Sequence, residues 1–358
     1  MKILVTAGGT GGHIYPALAL IDKFKEKEKN LDIIYVGTHN RMEKDIIPTY
    51  NIKYIPIEIY GLTKNILHDI KDLYLIKKDT NKMIKLLKEY KPDVVLGIGG
   101  YVTYPVIKAA HKLNIPIFIH EQNAIPGKVN KLVAKYADLI GVSFKDSMKY
   151  FSNKNVFYSG NPCGSRALTI PKVDKKTLGF NKDKKLITIV SGSLGSSTIN
   201  KVIKDYLDNF NNDYEVLFIT GNKFYDEFKD IKYPSNIKIL PFYDNLPGIL
   251  KSSDVLVTRA GASTIAEILS IEIPSIFIPS PYVANNHQYY NAKDMVDNNL
   301  GLMIEEKDLN KETLNNNINK LLNDTKLYNS IKESIKNSTK IDSSEIIYNK
   351  IKELLNAK

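Results

Sequence analysis

Along the chain, short apolar runs bounded by turn residues alternate with longer stretches in which apolar positions recur every three to four residues. Short runs of that kind fit buried parallel strands and the longer period fits amphipathic helices, so the alternation predicts repeated strand-helix-strand units. The first half places strands at 3–6, 33–36, 54–57, 94–97, 117–120 and 139–142; the second half repeats the scheme at 186–191, 215–219, 237–240, 255–258 and 275–278. The expected fold class is therefore α/β, with two doubly wound, Rossmann-like domains facing each other across a cleft. The turn-rich Ser159, Gly160, Asn161, Pro162 marks the boundary, giving a first domain over 1–161 and a second over 162–340. A last helical stripe, with apolar residues at 346, 347, 351, 354 and 355, needs a surface to cover.

Composition narrows this picture. Of 358 residues, 43% are hydrophobic and 25% charged, values of a soluble globular chain with a real core. A single cysteine, Cys163, excludes an internal disulfide and a cysteine-rich zinc site. No apolar run reaches about 18 residues, so no spanning helix is expected, and Met1 leads straight into a strand without the pattern of an export signal. The net charge of +11 is uneven: residues 1–160 hold 24 Lys and Arg against 15 Asp and Glu, whereas 161–358 hold 26 against 24. A basic first half suits an anionic partner, and a set of lysine-solvated helix faces explains it equally well.

Candidate chemistry gathers where strands end. After the first strand, Gly8, Gly9, Thr10, Gly11, Gly12, His13 opens a helix carrying Pro16. Glycines let backbone approach a ligand closely, and a helix N-terminus favours anions. The glycine spacing differs from the dinucleotide fingerprint, and no lysine follows as in a P-loop. His13 is placed to be a general base, against the plainer role of a helix-capping side chain. Gly99, Gly100, Tyr101 and His120, Glu121, Gln122, Asn123 follow two further strands and reach the same rim. In the second half, 191–197 (SGSLGSS) suits a phosphate or diphosphate. Arg259 to Glu267 sets another helix start beside one carboxylate able to accept two hydroxyl bonds, and His287 and Gln288 end a proline-rich loop.

Taken together, GGTGGHIYPALA, GIGGYVTYPV, HEQNAIPGKVNK, SGSLGSS, RAGASTIAE and PSPYVANNHQYYNA resemble, in order from Lys2 to about Ala292, the glycosyltransferases that form lipid II. The resemblance implies the two-domain GT-B architecture and an inverting transfer of N-acetylglucosamine from UDP-N-acetylglucosamine to the 4-hydroxyl of undecaprenyl-diphospho-N-acetylmuramyl pentapeptide (lipid I). It implies His13 as the base. It gives the donor site as Thr10, Gly11, Gly12 and Asn123 from the first domain, with Ser193, Leu194, Gly195 and Ser196 at the diphosphate. Phe242 and Tyr243 would receive uracil, Ala262, Ser263, Thr264, Ile265 and Ala266 would lead to Glu267 on the ribose, and His287 with Gln288 would hold the sugar. The hinge arginine of the family falls on Ser165 or Arg166. Gly99, Gly100, Tyr101 and Glu121 would face the acceptor, the terminal helix 343–355 would return to the first domain, and Leu62, Ile66 and Leu67 would touch the membrane. No cofactor, metal or nucleic acid is implied. The expected location is peripheral, on the cytoplasmic face of the cell membrane. A UDP-sugar transferase with another lipid acceptor, a UDP-sugar epimerase and a dinucleotide oxidoreductase are the competing readings.

Overall fold

In the computed structural model the described residues are 1–60, 66–151, 155–192, 195–208, 210, 213–338 and 341–357, with 66–73 described by backbone. Two compact units divide the chain: residues 1–163 together with 341–358, and residues 164–340.

The first unit is built on seven strands: β1 (Lys2–Ala7), β2 (Asp32–Thr38), β3 (Lys53–Ile57), β4 (Val94–Gly99), β5 (Ile117–Glu121), β6 (Leu139–Val142) and β7 (Asn155–Tyr158). They are parallel, in the order β3-β2-β1-β4-β5-β6-β7. Central strands such as β4 are buried along their whole length, as expected when helices cover both faces. The helices are α1 (Gly11–Lys27), α2 (Glu43–Ile46), α3 (Ile66–Tyr90), α4 (Thr103–Lys112) and α5 (Lys128–Val133). Residues of α3, α4 and α5 such as Met83, Leu87, Val106, Ile107 and Val133 share one core layer with Leu4, Val95 and Ile119. The other layer joins Ile14, Leu18 and Phe24 of α1 to Val5, Leu96 and Phe118.

The second unit repeats the plan. After α6 (Pro162–Thr169), which starts at the boundary, come β8 (Leu186–Val190), α7 (Ser197–Leu207), β9 (Glu215–Ile219), β10 (Ile237–Leu240), α8 (Leu246–Leu250), β11 (Val255–Thr258), α9 (Ala262–Ser270), β12 (Ser275–Phe277), α10 (His287–Asp297), β13 (Leu302–Met303), α11 (Lys311–Asn323) and α12 (Thr325–Ser338). The parallel sheet has the order β10-β9-β8-β11-β12-β13. The terminal α13 (Ser343–Asn356) belongs to the first unit, where Ile347 and Ile351 are fully buried beside α1. Among the described residues no helix is long and apolar enough to cross a membrane.

Strand order fixes where ligands belong. In each sheet the winding reverses at one place, between β1 and β4 and again between β8 and β11. Connections leave such a point in opposite directions and open a crevice at the carboxyl ends of the strands.

Candidate functional site

At the switch point of the first unit, the loop after β1 meets the loop after β4. The Gly8 N–H donates to the Gly99 carbonyl at 3.2 Å. A bulge between Thr6 and Ala7 pairs Ala7 with Gly99 and passes over Ile98, which turns the end of β4 toward the glycine loop. Gly99 has φ +125°, and a Cβ there would lie 2.6 Å from Cδ2 of His13, so conformation and space both demand glycine.

His13 stands in the first turn of α1, half-buried. Its Nδ1 lies 3.0 Å from the Gly8 carbonyl oxygen. A carbonyl only accepts, so Nδ1 carries the proton and Nε2 is the basic nitrogen of the neutral ring. Thr10 occupies the N-cap position without a side-chain capping bond, and Gly11 and Gly12 form the first turn with no side chain to cover their backbone N–H groups.

The loop after β5 is held from inside. Glu121 is buried, and its carboxylate accepts from the Asn123 and Gly127 N–H groups at 2.9 and 3.1 Å and from the Asn130 amide at 2.8 Å. Burial raises its pKa, and those hydrogen bonds oppose the rise. This use of the carboxylate differs from the acceptor contact the resemblance implies: Glu121 shapes the loop carrying Asn123. Gly100 and Tyr101 remain on the rim, Tyr101 being exposed. His120 donates from Nε2 to the Gly160 carbonyl and accepts at Nδ1 from Gln122, which also donates to the Ile98 carbonyl. Burial pushes the His120 pKa down to about 4, so the ring is neutral at physiological pH.

At the second switch point, Ser196 caps α7 by accepting from the Ile199 N–H at 3.3 Å. Ser193 and Leu194 lie outside the described residues. Arg259, after β11, donates to the Ser196 hydroxyl at 2.6 Å and to the Ile278 carbonyl at 3.2 Å, and is ion-paired with Glu306. The pair is largely buried, which makes it a rigid tie among three loops. Asn291 of α10 joins the same cluster through the Ala260 carbonyl, at 3.1 Å.

Glu267 sits in the second turn of α9, behind Ala262, Ser263, Thr264, Ile265 and Ala266. Burial pushes its pKa up to about 7, and the nearby Arg166 guanidinium opposes the rise. Arg166 and Ser165 ride on α6, which packs closely on α9 at Gly164: a Cβ there would lie 2.4 Å from the Ser270 hydroxyl. Arg166 is thus close enough to Glu267, the candidate ribose carboxylate, for their charges to interact. Phe242 and Tyr243 follow β10, and the Phe242 ring is 55% exposed, an apolar face open to a flat ring. In the 279–288 stretch, Gln288 accepts from the Ser280 N–H at 2.9 Å and His287 donates from Nδ1 to the Ala284 carbonyl at 2.8 Å. Burial lowers the His287 pKa.

The structure thus gathers Thr10 to His13 with Gly99 to Tyr101 in one unit, and Ser196 with the loop before α9, and Glu267 with Arg166, in the other. Leu62 lies outside the described residues, as do the side chains of Ile66 and Leu67. Three further residues escape the sequence reading as site members: Glu43, which accepts from the Gly9 N–H, Arg259 and Glu306. The arginine stands in a recognisable motif, but its partners come from distant loops that spacing alone does not bring together.

Comparison with known proteins places these features in context. Residues 3–142 match the glycosyltransferase family 28 N-terminal domain and residues 186–345 match the glycosyltransferase family 28 C-terminal domain. The UDP-N-acetylglucosamine--N-acetylmuramyl-(pentapeptide) pyrophosphoryl-undecaprenol N-acetylglucosamine transferase of Bacillus cytotoxicus is 40% identical, over 99% of this chain and 100% of its own. Its counterpart in Caldanaerobacter subterraneus is 38% identical over 98% and 99%. Among solved structures, MurG of Acinetobacter baumannii superposes with a TM-score of 0.80 at 25% identity, covering 98% of this chain and 99% of that one. A Neisseria meningitidis UDP-GlcNAc 2-epimerase shares the fold, with a TM-score of 0.67 at 15% identity, covering 99% and 100%.

Proposed function

The chain belongs to glycosyltransferase family 28 and is a UDP-N-acetylglucosamine-dependent hexosyltransferase, and from that premise we propose how its residues divide the work of converting lipid I to lipid II. The observation that carries the reaction is full-length identity of about two in five with transferases named for it. The epimerase likeness, at 15% identity, extends to the fold alone.

We assign the donor chiefly to the second unit. Glu267 accepts the two ribose hydroxyls, Phe242 with Tyr243 covers the uracil, and His287 and Gln288 meet the sugar. The loop 193–196 and the start of α7 hold the diphosphate. What supports this is the switch-point position of the loop and the tie from Arg259 to Ser196. Developing negative charge on the leaving UDP then meets backbone N–H groups and a helix N-terminus already in place.

We assign the acceptor to the first unit. Its 4-hydroxyl oxygen attacks the anomeric carbon from the face opposite UDP, the new C–O bond forms as the bond to the diphosphate oxygen breaks, and configuration inverts. His13 Nε2 takes the hydroxyl proton, an assistance typically worth about a hundred- to ten-thousand-fold. Thr10, Gly11, Gly12 and Asn123 complete the donor's surroundings, and Gly99, Gly100 and Tyr101 border the acceptor.

Attachment to the anionic cytoplasmic face of the cell membrane, with Leu62, Ile66 and Leu67 as the contact, is part of the proposal. It is supported by the charge of the first half and by the surface where α5 meets the 145–150 turn, with exposed Leu132 and Tyr150 among lysines. Lys131 there lies 4.8 Å from the centre of the Tyr150 ring. The deciding experiment is His13→Ala assayed with labelled UDP-N-acetylglucosamine and a lipid I analogue. Turnover should fall at least about a hundredfold with donor binding and fold retained; wild-type turnover would remove the base assignment.

A further inference from the structure

Glu43 is wholly buried at the start of α2, with no exposure at all. Its Oε1 accepts from the Thr38 N–H at 3.0 Å and the Thr38 hydroxyl at 2.6 Å, while Oε2 accepts from the Gly9 N–H at 3.2 Å. Those N–H groups only donate, so the side chain serves as an acceptor, the role of a carboxylate. Space is reserved for it: a Cβ on Gly8 would lie 2.3 Å from Oε1 and one on Gly37 would lie 2.8 Å from Cγ.

The Gly9 N–H and the Gly8 carbonyl are two ends of one peptide group. The same planar unit therefore donates to Glu43 at one end and accepts from His13 Nδ1 at the other. A charge-assisted bond at the N–H polarises the peptide toward its oxygen, and hydrogen bonds in series strengthen each other by about 10–30%. We propose that Glu43 is a positioning residue that acts through the Gly8–Gly9 peptide to hold the proton of His13 on Nδ1 and keep Nε2 as the base. The arrangement does the work of a carboxylate bonded directly to imidazole, with one peptide group inserted between them. Glycine at positions 8 and 9 would otherwise let that peptide turn over and present an N–H to His13, which would stabilise the opposite tautomer.

This inference rests on His13 as the base, and NMR of the full-length protein with 15N-labelled histidine separates the two. In the wild type His13 should carry its proton on Nδ1. In Glu43→Gln, which keeps the size of the side chain but sets an NH₂ group against one of the donors, the Nε2–H tautomer should appear and kcat should fall about tenfold or more. A folded Glu43→Gln protein whose His13 keeps the Nδ1–H tautomer overturns the proposal. So does an Nε2–H tautomer in the wild type, a measurement independent of whether the variant folds. A shifted tautomer with undiminished turnover would leave the Glu43–peptide–His13 chain standing and remove His13 as the base.

Discussion

At the scale of single residues, the buried carboxylates of this protein are provided for in two ways. Glu121 is given donors by its own loop and Glu43 by the ends of β1 and β2, whereas Glu267 is withdrawn from solvent with Arg166 as its counter-charge and a pKa of about 7. An acid whose pKa is raised on folding keeps its proton longer in the native state, so its contribution to stability declines as pH rises from about 4.5 to 7 and is absent above. The decline amounts to about 3 kcal/mol. A ribose diol bonds best to the ionised form, so donor binding should release a proton. Titration with UDP-N-acetylglucosamine should show affinity rising as pH goes from 6 to 8, by up to about tenfold per unit below pH 7, and Glu267→Gln should flatten the curve. A flat wild-type curve would mean that the carboxylate does not meet the donor. Gly99→Ala is a sharper test of the histidine's setting. With φ +125° and His13 Cδ2 2.6 Å from the added carbon, the ring must move, and kcat should fall while thermal unfolding shifts by about 1–3 kcal/mol. The glycines and His13 are legible in the sequence because loops of that composition after a strand announce a ligand. Glu43 is not, because its value depends on β2 lying beside β1, and nothing in its local stretch reports that neighbour.

At the scale of elements, apolar runs made most strands readable, including the edge strands β3 and β10, and missed the edge strands β7 and β13. β7 has an exposed or half-buried pattern and β13 has two residues, so neither presents the run that marks a central strand. The terminal helix shows which contacts matter. Its Ile347 and Ile351 are fully buried, Tyr348 meets Phe24 edge-on at 5.2 Å, and around them Lys352 pairs with Glu28 and Lys27 with Glu345. Truncating a buried isoleucine typically costs 2–5 kcal/mol, whereas an exposed ion pair is worth under about 1. Urea unfolding should therefore show Ile351→Ala losing about 2–4 kcal/mol and Lys352→Ala less than about 1. Equal losses would mean that charge, not packing, seats α13. The stripe was visible in the spacing, but its partner, a helix more than 300 residues earlier, was not.

At the scale of the whole molecule, the proposed membrane contact rests on charge asymmetry and on the acceptor's chemistry. A polyprenyl tail leaves a bilayer at a cost of about 0.8 kcal/mol per CH₂, which favours bringing the enzyme to it. Co-sedimentation with anionic vesicles should weaken with added salt and when Leu62, Ile66 and Leu67 are replaced by serine. Undiminished binding by that folded triple variant would place the contact elsewhere. Bipartite architecture was legible from the repeated strand pattern, yet the return of the chain to its first unit has a temporal meaning as well. Residues 1–163 leave the ribosome before the second unit, but α13, which covers the apolar side of α1, is made only after the 177 residues from 164 to 340. At about 5–20 residues per second, Phe24 and its neighbours wait roughly 9–35 s for their cover. The newborn chain therefore passes through a stage in which the second unit has all of its residues while the unit that carries His13 is still unsealed, and a ribosome that stops short of residue 341 releases a chain with that face permanently open to chaperones.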